Sequence, residues 1–114
     1  MNMPAVALRG LTILPGMIAH FDISRERSLR AVEEAMEQDQ KIYLVTQRNV
    51  DSEDPTQEDL YQMGIVADIK QVVRLQNDVV RILVDGISRA ALLGFTGNEK
   101  YLEAEICYCR QPAG

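Results

Sequence analysis

His20 and Asp22 stand two residues apart in the run Met17-Ile18-Ala19-His20-Phe21-Asp22-Ile23, a spacing that puts both side chains on one face of an extended strand. In that arrangement a carboxylate could orient an imidazole as a general base, or the pair could contribute to a metal site. His20 is the one histidine of the 114 residues, and no nucleophile stands in a recognisable relation to it. We read the two as an exposed polar pair. Cys107 and Cys109 repeat the spacing beside Glu103 and Glu105, while Leu102, Ala104, Ile106 and Tyr108 fill the opposite face. Two thiolates could begin a zinc site, but a structural site wants four ligands, and a distant histidine plus carboxylates is a poor remainder. Free thiols on an exposed or partner-covered strand are the reading adopted here.

Neither G-x-x-x-x-G-K-S/T nor G-x-G-x-x-G occurs, so no loop can be expected to cradle the phosphates of ATP. No Ser–Lys or Ser–His nucleophile arrangement is recognisable either. The chain is therefore expected to be non-catalytic, with no cofactor or metal of its own, and inert towards both ATP and unfolded protein.

What remains is surface. Leu11, Ile13, Leu14, Met17 and Ile18 crowd around Pro15-Gly16, more large apolar side chains than a turn between two short strands needs. They can form an exposed apolar patch, or they can cap the open end of a barrel, and different members can do each. Ile13, Leu14, Pro15 and Met17 are the candidate substrate-contact residues, with a methionine thioether suited to adapting its shape to varied partners.

The net charge of −5, the pI near 4.8 and the scatter of the twelve basic residues argue against a nucleic-acid surface, which requires clustered Lys and Arg. No apolar run reaches the roughly 20 residues of a membrane span, and the start lacks the pattern of a signal peptide. Two closely spaced cysteines do not make the disulfide framework of a secreted scaffold. The expected compartment is the cytoplasm.

The elements that must position these residues follow from periodicity. Val6 and Leu8 alternate in an opening strand, and Met17, Ala19, Phe21 and Ile23 give a second strand its core face. Ser24 is a candidate N-cap for a helix over 25–38, with Leu29, Val32 and Met36 on its apolar stripe and Glu26 four residues before Arg30. The run 41–47 is apolar on both faces and reads as a central strand. Residues 49–59 read as an acidic loop, with Thr56 and Asp59 as a capping box opening a helical turn to Gln62. Strands over 64–75, 79–85, 87–95 and 101–109 fill the second half, with turns at Gln76-Asn77-Asp78 and Gly97-Asn98. Gly86 marks a bulge or sharp bend, and Arg89 is expected to be structural, its guanidinium satisfying carbonyls or a carboxylate at the sheet edge. About six or seven short strands with one packed α-helix indicate a single mainly β or α+β domain over 1–114, closed into a barrel-like form.

Several stretches in this order resemble the N-terminal domain of Lon-type ATP-dependent proteases. They are Ala7-Leu8-Arg9-Gly10, Ile13-Leu14-Pro15-Gly16-Met17, Phe21-Asp22-Ile23-Ser24-Arg25 and Ser28-Leu29-Arg30-Ala31-Val32-Glu33, then Leu44-Val45-Thr46-Gln47, Asp59-Leu60-Tyr61, Met63-Gly64, and Ile82 through Ala90. The resemblance covers roughly residues 5–108. It departs at Gln76-Asn77-Asp78, where the family often has a Pro-Asp-Gly hairpin, and at Met3-Pro4-Ala5-Val6-Ala7-Leu8, where it usually has Leu-Pro-Leu. The resemblance implies a PUA-like pseudo-barrel that recognises unfolded or degron-bearing proteins for a protease and in some members aids assembly. It further implies partners in other copies and in the remaining modules of the parent, an ATPase and a Ser–Lys peptidase that this chain lacks, with ATP and Mg needed only by that ATPase. The alternatives are a stand-alone adaptor built on the same domain and a PUA-like RNA-binding module.

Overall fold

Ile42 and Leu44 pack into one hydrophobic cluster and Tyr43 and Val45 into another, none of them more than 1% exposed, so the strand that carries them has core on both faces. The computed structural model describes residues 2–47 and 63–108. Along the chain run β1 (Asn2–Leu8), β2 (Ile18–Ile23), α1 (Glu26–Glu37), β3 (Lys41–Thr46), β4 (Met63–Arg74), β5 (Val80–Phe95) and β6 (Glu103–Tyr108). The acidic loop and the capping box expected over 49–62 lie outside the described residues, as does Cys109.

Hydrogen-bonded neighbours run β2-β5-β4-β3-β1-β6, and β6 returns to pair with β5. Five strands thus close a ring, and β2 lies outside it along the first half of β5, with Ile18 opposite Asp85 and Ile23 opposite Val80. The β1–β3 pair is parallel, so its connection must cross over; that connection carries β2 and α1, and α1 packs on β1 and β3. One hydrophobic cluster takes Ala5, Val45, Val66, Leu92 and Ile106, one from each part of the ring, and forms its interior. The other, with Val6, Leu44, Ala67 and Val84, lies on the opposite face, where α1 and β2 cover it.

β5 supplies both clusters with even-numbered residues, which an unbroken strand with a side-chain period of two cannot do. Ile82 and Val84 lie in the covered outer cluster, and Ala90 and Leu92 in the ring interior. A bulge makes the switch. Val66 stands opposite Ser88 but Ala67 opposite Gly86, which leaves Ile87 as the extra residue. The expected strands 79–85 and 87–95 are therefore one strand of 16 residues, bent at its middle, that trades β2 for β6 as a neighbour along its length.

Two details of α1 correct the sequence reading. Arg25, not Ser24, is the N-cap residue, and it makes no side-chain cap bond. The buried stripe is Ser28, Ala31, Val32 and Ala35, with Leu29 half-buried and Met36 exposed, so the helix is rotated from the expected face. Small residues win because they let the helix backbone come close to the sheet. Arg27 then ties α1 to the turn before β6, donating to the carbonyls of Asn98 and Tyr101 at 3.0 and 3.4 Å. The two expected turns are present: Asn77 and Asp78 both take positive φ, at 61° and 59°, and Gly97 takes 80°.

Gly64 entered the sequence reading only within the Met63-Gly64 stretch, with no structural role assigned, yet a Cβ there would lie 2.5 Å from the Leu44 carbonyl oxygen and 2.6 Å from the Tyr43 hydroxyl. Tyr43 is wholly buried and donates to the Ala90 carbonyl at 3.0 Å, so it has nowhere to retreat. Gly64→Ala is expected to lower stability by about 1–3 kcal/mol, as overpacking does. Chemical denaturation checks this through the midpoint at unchanged slope; an unmoved midpoint would mean that the Tyr43 ring yields freely.

Candidate functional site

Pro15 fixes φ at the second position of a turn and Gly16, at φ 81°, supplies the left-handed third position, while the Met17 N–H donates to the Leu14 carbonyl at 3.0 Å. That is the geometry of a type II turn. It is clamped to the bulge of β5 from both sides: the Gly16 N–H donates to the Gly86 carbonyl at 2.8 Å, and the Gly86 N–H donates to the Met17 carbonyl at 2.9 Å. A Cβ on Gly86 would collide with the Leu14 carbonyl oxygen and stand 2.8 Å from Ile65 Cδ1. Only glycine lets the turn sit this close.

The clamp divides the candidate contact residues. Ile13 is 5% exposed and belongs to the core cluster under α1, so it departs from the candidate contact set: its side chain faces inward and plugs that end of the fold. Leu14 is 49% exposed, Met17 38% and Ile18 66%, and Pro15 is exposed beside them. Ile87, 41% exposed, belongs with them and was missed by sequence reasoning. The signal that could have found it is the glycine before it, because a bulged residue beyond Gly86 loses its place in the alternation.

Beside the turn lies a cleft of about 330 Å³ lined by Leu8, Ile13, Leu44, Met63, Ile65 and Arg89. Arg89 is the residue whose guanidinium the sequence expects to satisfy carbonyls or a carboxylate at the sheet edge. It is exposed at the cleft, opposite Ile65 across the strand, and no hydrogen bond or ion pair joins it to a described residue.

His20 and Asp22 are both exposed. Asp22 engages Arg81, its direct cross-strand partner, at 2.8 Å from Nε to Oδ1 and 3.3 Å from Nη2 to Oδ2. The Arg81 hydrogen bond, followed by its charge, holds the Asp22 carboxyl below the usual carboxylate range. The carboxylate is thus committed to an arginine and not to the imidazole. Cys107 is an exposed free thiol, and Glu103 accepts from the Thr96 hydroxyl at 2.7 Å and the Tyr101 hydroxyl at 3.1 Å. Tyr108, placed by sequence on the core face of β6, is 42% exposed at the strand's end. Among the described residues no three His, Cys, Asp or Glu side chains gather where they could hold a metal ion, and no helix is long and apolar enough to cross a membrane.

A closed five-strand ring with an outlying strand, one covering helix and an exposed apolar turn has clear relatives. The family model described as the ATP-dependent protease La (LON) substrate-binding domain matches residues 2–113. The chain belongs to this family. Among its LON relatives, it is 42% identical over 105 residues to the Lon protease of Lachnoclostridium phytofermentans, which covers 92% of this chain and 13% of that protein. With the Lon protease of Clostridium acetobutylicum the identity is 43%, covering 91% of this chain and 13% of the relative. The chain therefore spans about one-eighth of the length of these relatives. In fold it matches the N-terminal domain of Mycobacterium avium complex Lon protease with a TM-score of 0.79 at 18% identity, over 100% of this chain and 57% of that one. The Lon N-terminal domain protein from Xanthomonas campestris matches with a TM-score of 0.72 at 14% identity, over 96% of this chain and 60% of that one. The mainly β LON pseudo-barrel expected from sequence is the fold observed.

Two measurements probe this geometry. Ile13→Ala is expected to cost about 2–5 kcal/mol, as a core truncation does, whereas Leu14→Ser should stay within about ±0.5 kcal/mol, as an exposed change does; equal costs in chemical denaturation would contradict the split. Since Asp22 is held low by Arg81, its carboxyl should protonate at lower pH than an ordinary aspartate, and any stability this adds is present above the ordinary range and is lost progressively as pH falls from that range through the lowered value. Carboxyl NMR of Arg81→Met should show the Asp22 titration moving up to the ordinary range.

Proposed function

We propose that this domain binds unfolded or degron-bearing polypeptides on behalf of a longer ATP-dependent Lon-type serine protease, and that Leu14, Pro15 and Met17, together with Ile18 and Ile87, make the contact. The observation that carries this reading is the exposure of large apolar side chains around a turn that is itself rigidly clamped. Isolated surface hydrophobics are ordinary, but a cluster at one projecting turn marks a surface for apolar partners. The family's description as a substrate-binding domain supports it, and so does the relatives' greater length, which leaves room for the ATPase and peptidase modules. The single domain over residues 1–114 then acts as one recognition unit in a cytoplasmic assembly, with ATP and Mg used elsewhere in the parent.

Affinity for any one segment is expected to be weak, because a flexible client loses conformational entropy on docking against a small area. Several copies in an oligomer would supply avidity without any new contact. Contribution of the domain to assembly follows the same logic, since copies held together act as one multivalent surface.

The test is an NMR titration of the 114-residue chain with an unfolded, cysteine-blocked polypeptide. Leu14→Ser combined with Met17→Ser should stay folded and weaken binding about tenfold, equivalent to about 1.4 kcal/mol. Undiminished binding by the folded double variant would remove the turn from the site.

A further inference from the structure

The clamp on the turn fixes which backbone groups of β2 are spoken for. Gly86 exchanges hydrogen bonds with Gly16 and Met17. In an antiparallel ladder bonded and non-bonded pairs alternate, so the next bonded pairs are Ala19 with Val84, Phe21 with Ile82 and Ile23 with Val80. The N–H and C=O groups of Ile18, His20 and Asp22 therefore point away from β5, to the side where, among the described residues, β2 has no neighbouring strand. All three residues are exposed, and no described residue bonds those groups. At its far end this edge borders a groove of about 190 Å³ lined by Leu8, Leu11, Phe21 and Ile23 together with the charged Arg9 and Arg25.

An open edge is a liability that proteins blunt with lysine, proline or a bulge. Another stretch with a free side among the described residues, the outer part of β4, follows that rule: it carries Lys70, at a register irregularity, and Arg74. β2 carries no lysine and no proline between Ile18 and Ile23, and its Asp22 is already neutralised by Arg81. The edge has been left able to pair.

We propose that β2 receives an extended polypeptide segment as an added strand, its backbone bonding to Ile18, His20 and Asp22 while its apolar side chains lie against the Leu14–Met17 turn. This rests on the binding role proposed above and names its mode. Only a peptide backbone presents donors and acceptors with the period of a strand edge, which fixes the chemistry of the occupant and explains tolerance of many sequences. A second copy of this chain is the poorer occupant. Antiparallel self-pairing centred on β2 would set His20 against His20 and Ile18 against Asp22, neither a favourable cross-strand pair.

The experiment uses the 114-residue chain and a synthetic peptide of about eight residues alternating valine and threonine, long enough for one strand. At saturating peptide, hydrogen exchange of the Ile18, His20 and Asp22 amides should slow by about tenfold or more. The same peptide N-methylated at every second residue, on the side that faces β2, should lose binding by about tenfold although its side chains are unchanged. His20→Pro, which removes an outward donor and spares the ladder to β5, should weaken the unmodified peptide alike. If the peptide binds, is weakened by Leu14→Ser, and yet leaves the three amides unprotected and ignores N-methylation, strand addition is overturned while the apolar-turn reading stands. If neither this peptide nor the unfolded polypeptide binds, the recognition role itself fails. Protection of the three amides without peptide, in a species of twice the monomer mass, would assign the edge to a second copy instead.

Discussion

A missing side chain at Gly86 is the constraint on which the rest of this structure depends. The strand β5 has to serve two hydrophobic clusters on opposite faces of the sheet, and the extra residue beside Gly86 is what turns its even-numbered positions from one to the other. The space where Cβ would sit is filled by the Leu14 carbonyl and Ile65. The same backbone group that bends the strand therefore holds the turn, and the turn fixes where β2 begins. Any larger residue would have to displace the turn, the core or the ring at once.

Closure of the ring follows from that bend. In its first half β5 lies between β2 and β4, and in its second half between β4 and β6. A straight strand could not exchange one neighbour for another without a gap, and a gap would strand backbone donors in the interior. The bulge absorbs the change in direction and spends a single residue, Ile87, which is then left at the surface.

Strand positions were legible in the sequence because each depends on local alternation: the two-faced run at Ile42 to Val45, the left-handed Asn77, and the interruption at Gly86 all carry their signal within a few residues. Helix orientation was less legible. The stripe of large residues Leu29, Val32 and Met36 marks an apolar face, but what the sheet accepts is the small stripe of Ala31 and Ala35, and closeness of approach is a property of the partner surface that periodicity does not contain. The division of the turn residues was hidden for a similar reason. Ile13 and Leu14 are adjacent apolar residues, and only the clamp to β5 decides that one points into the core and the other to water. Arg89 and Arg81 show the limit from the other side: both lie on one strand, yet the second finds Asp22 because strand register sets it opposite, and the first has Ile65 opposite it.

Recognition surfaces for unfolded chains face a conflict between adaptability and cost. A soft surface conforms to many partners but loses its own conformational freedom on each encounter. Here the softness and the rigidity are held on different atoms. The backbone of the turn is fixed by proline, by a left-handed glycine and by two hydrogen bonds to Gly86, so little ordering is left to be done when a partner arrives. The adaptable parts are the side chains that project from it, above all the thioether of Met17, whose rotamers exchange at small energetic cost. Because those side chains contribute little to the core, sequence change at the exposed positions can alter what is bound without unfolding the scaffold, whereas change at Ile13 or Gly86 cannot.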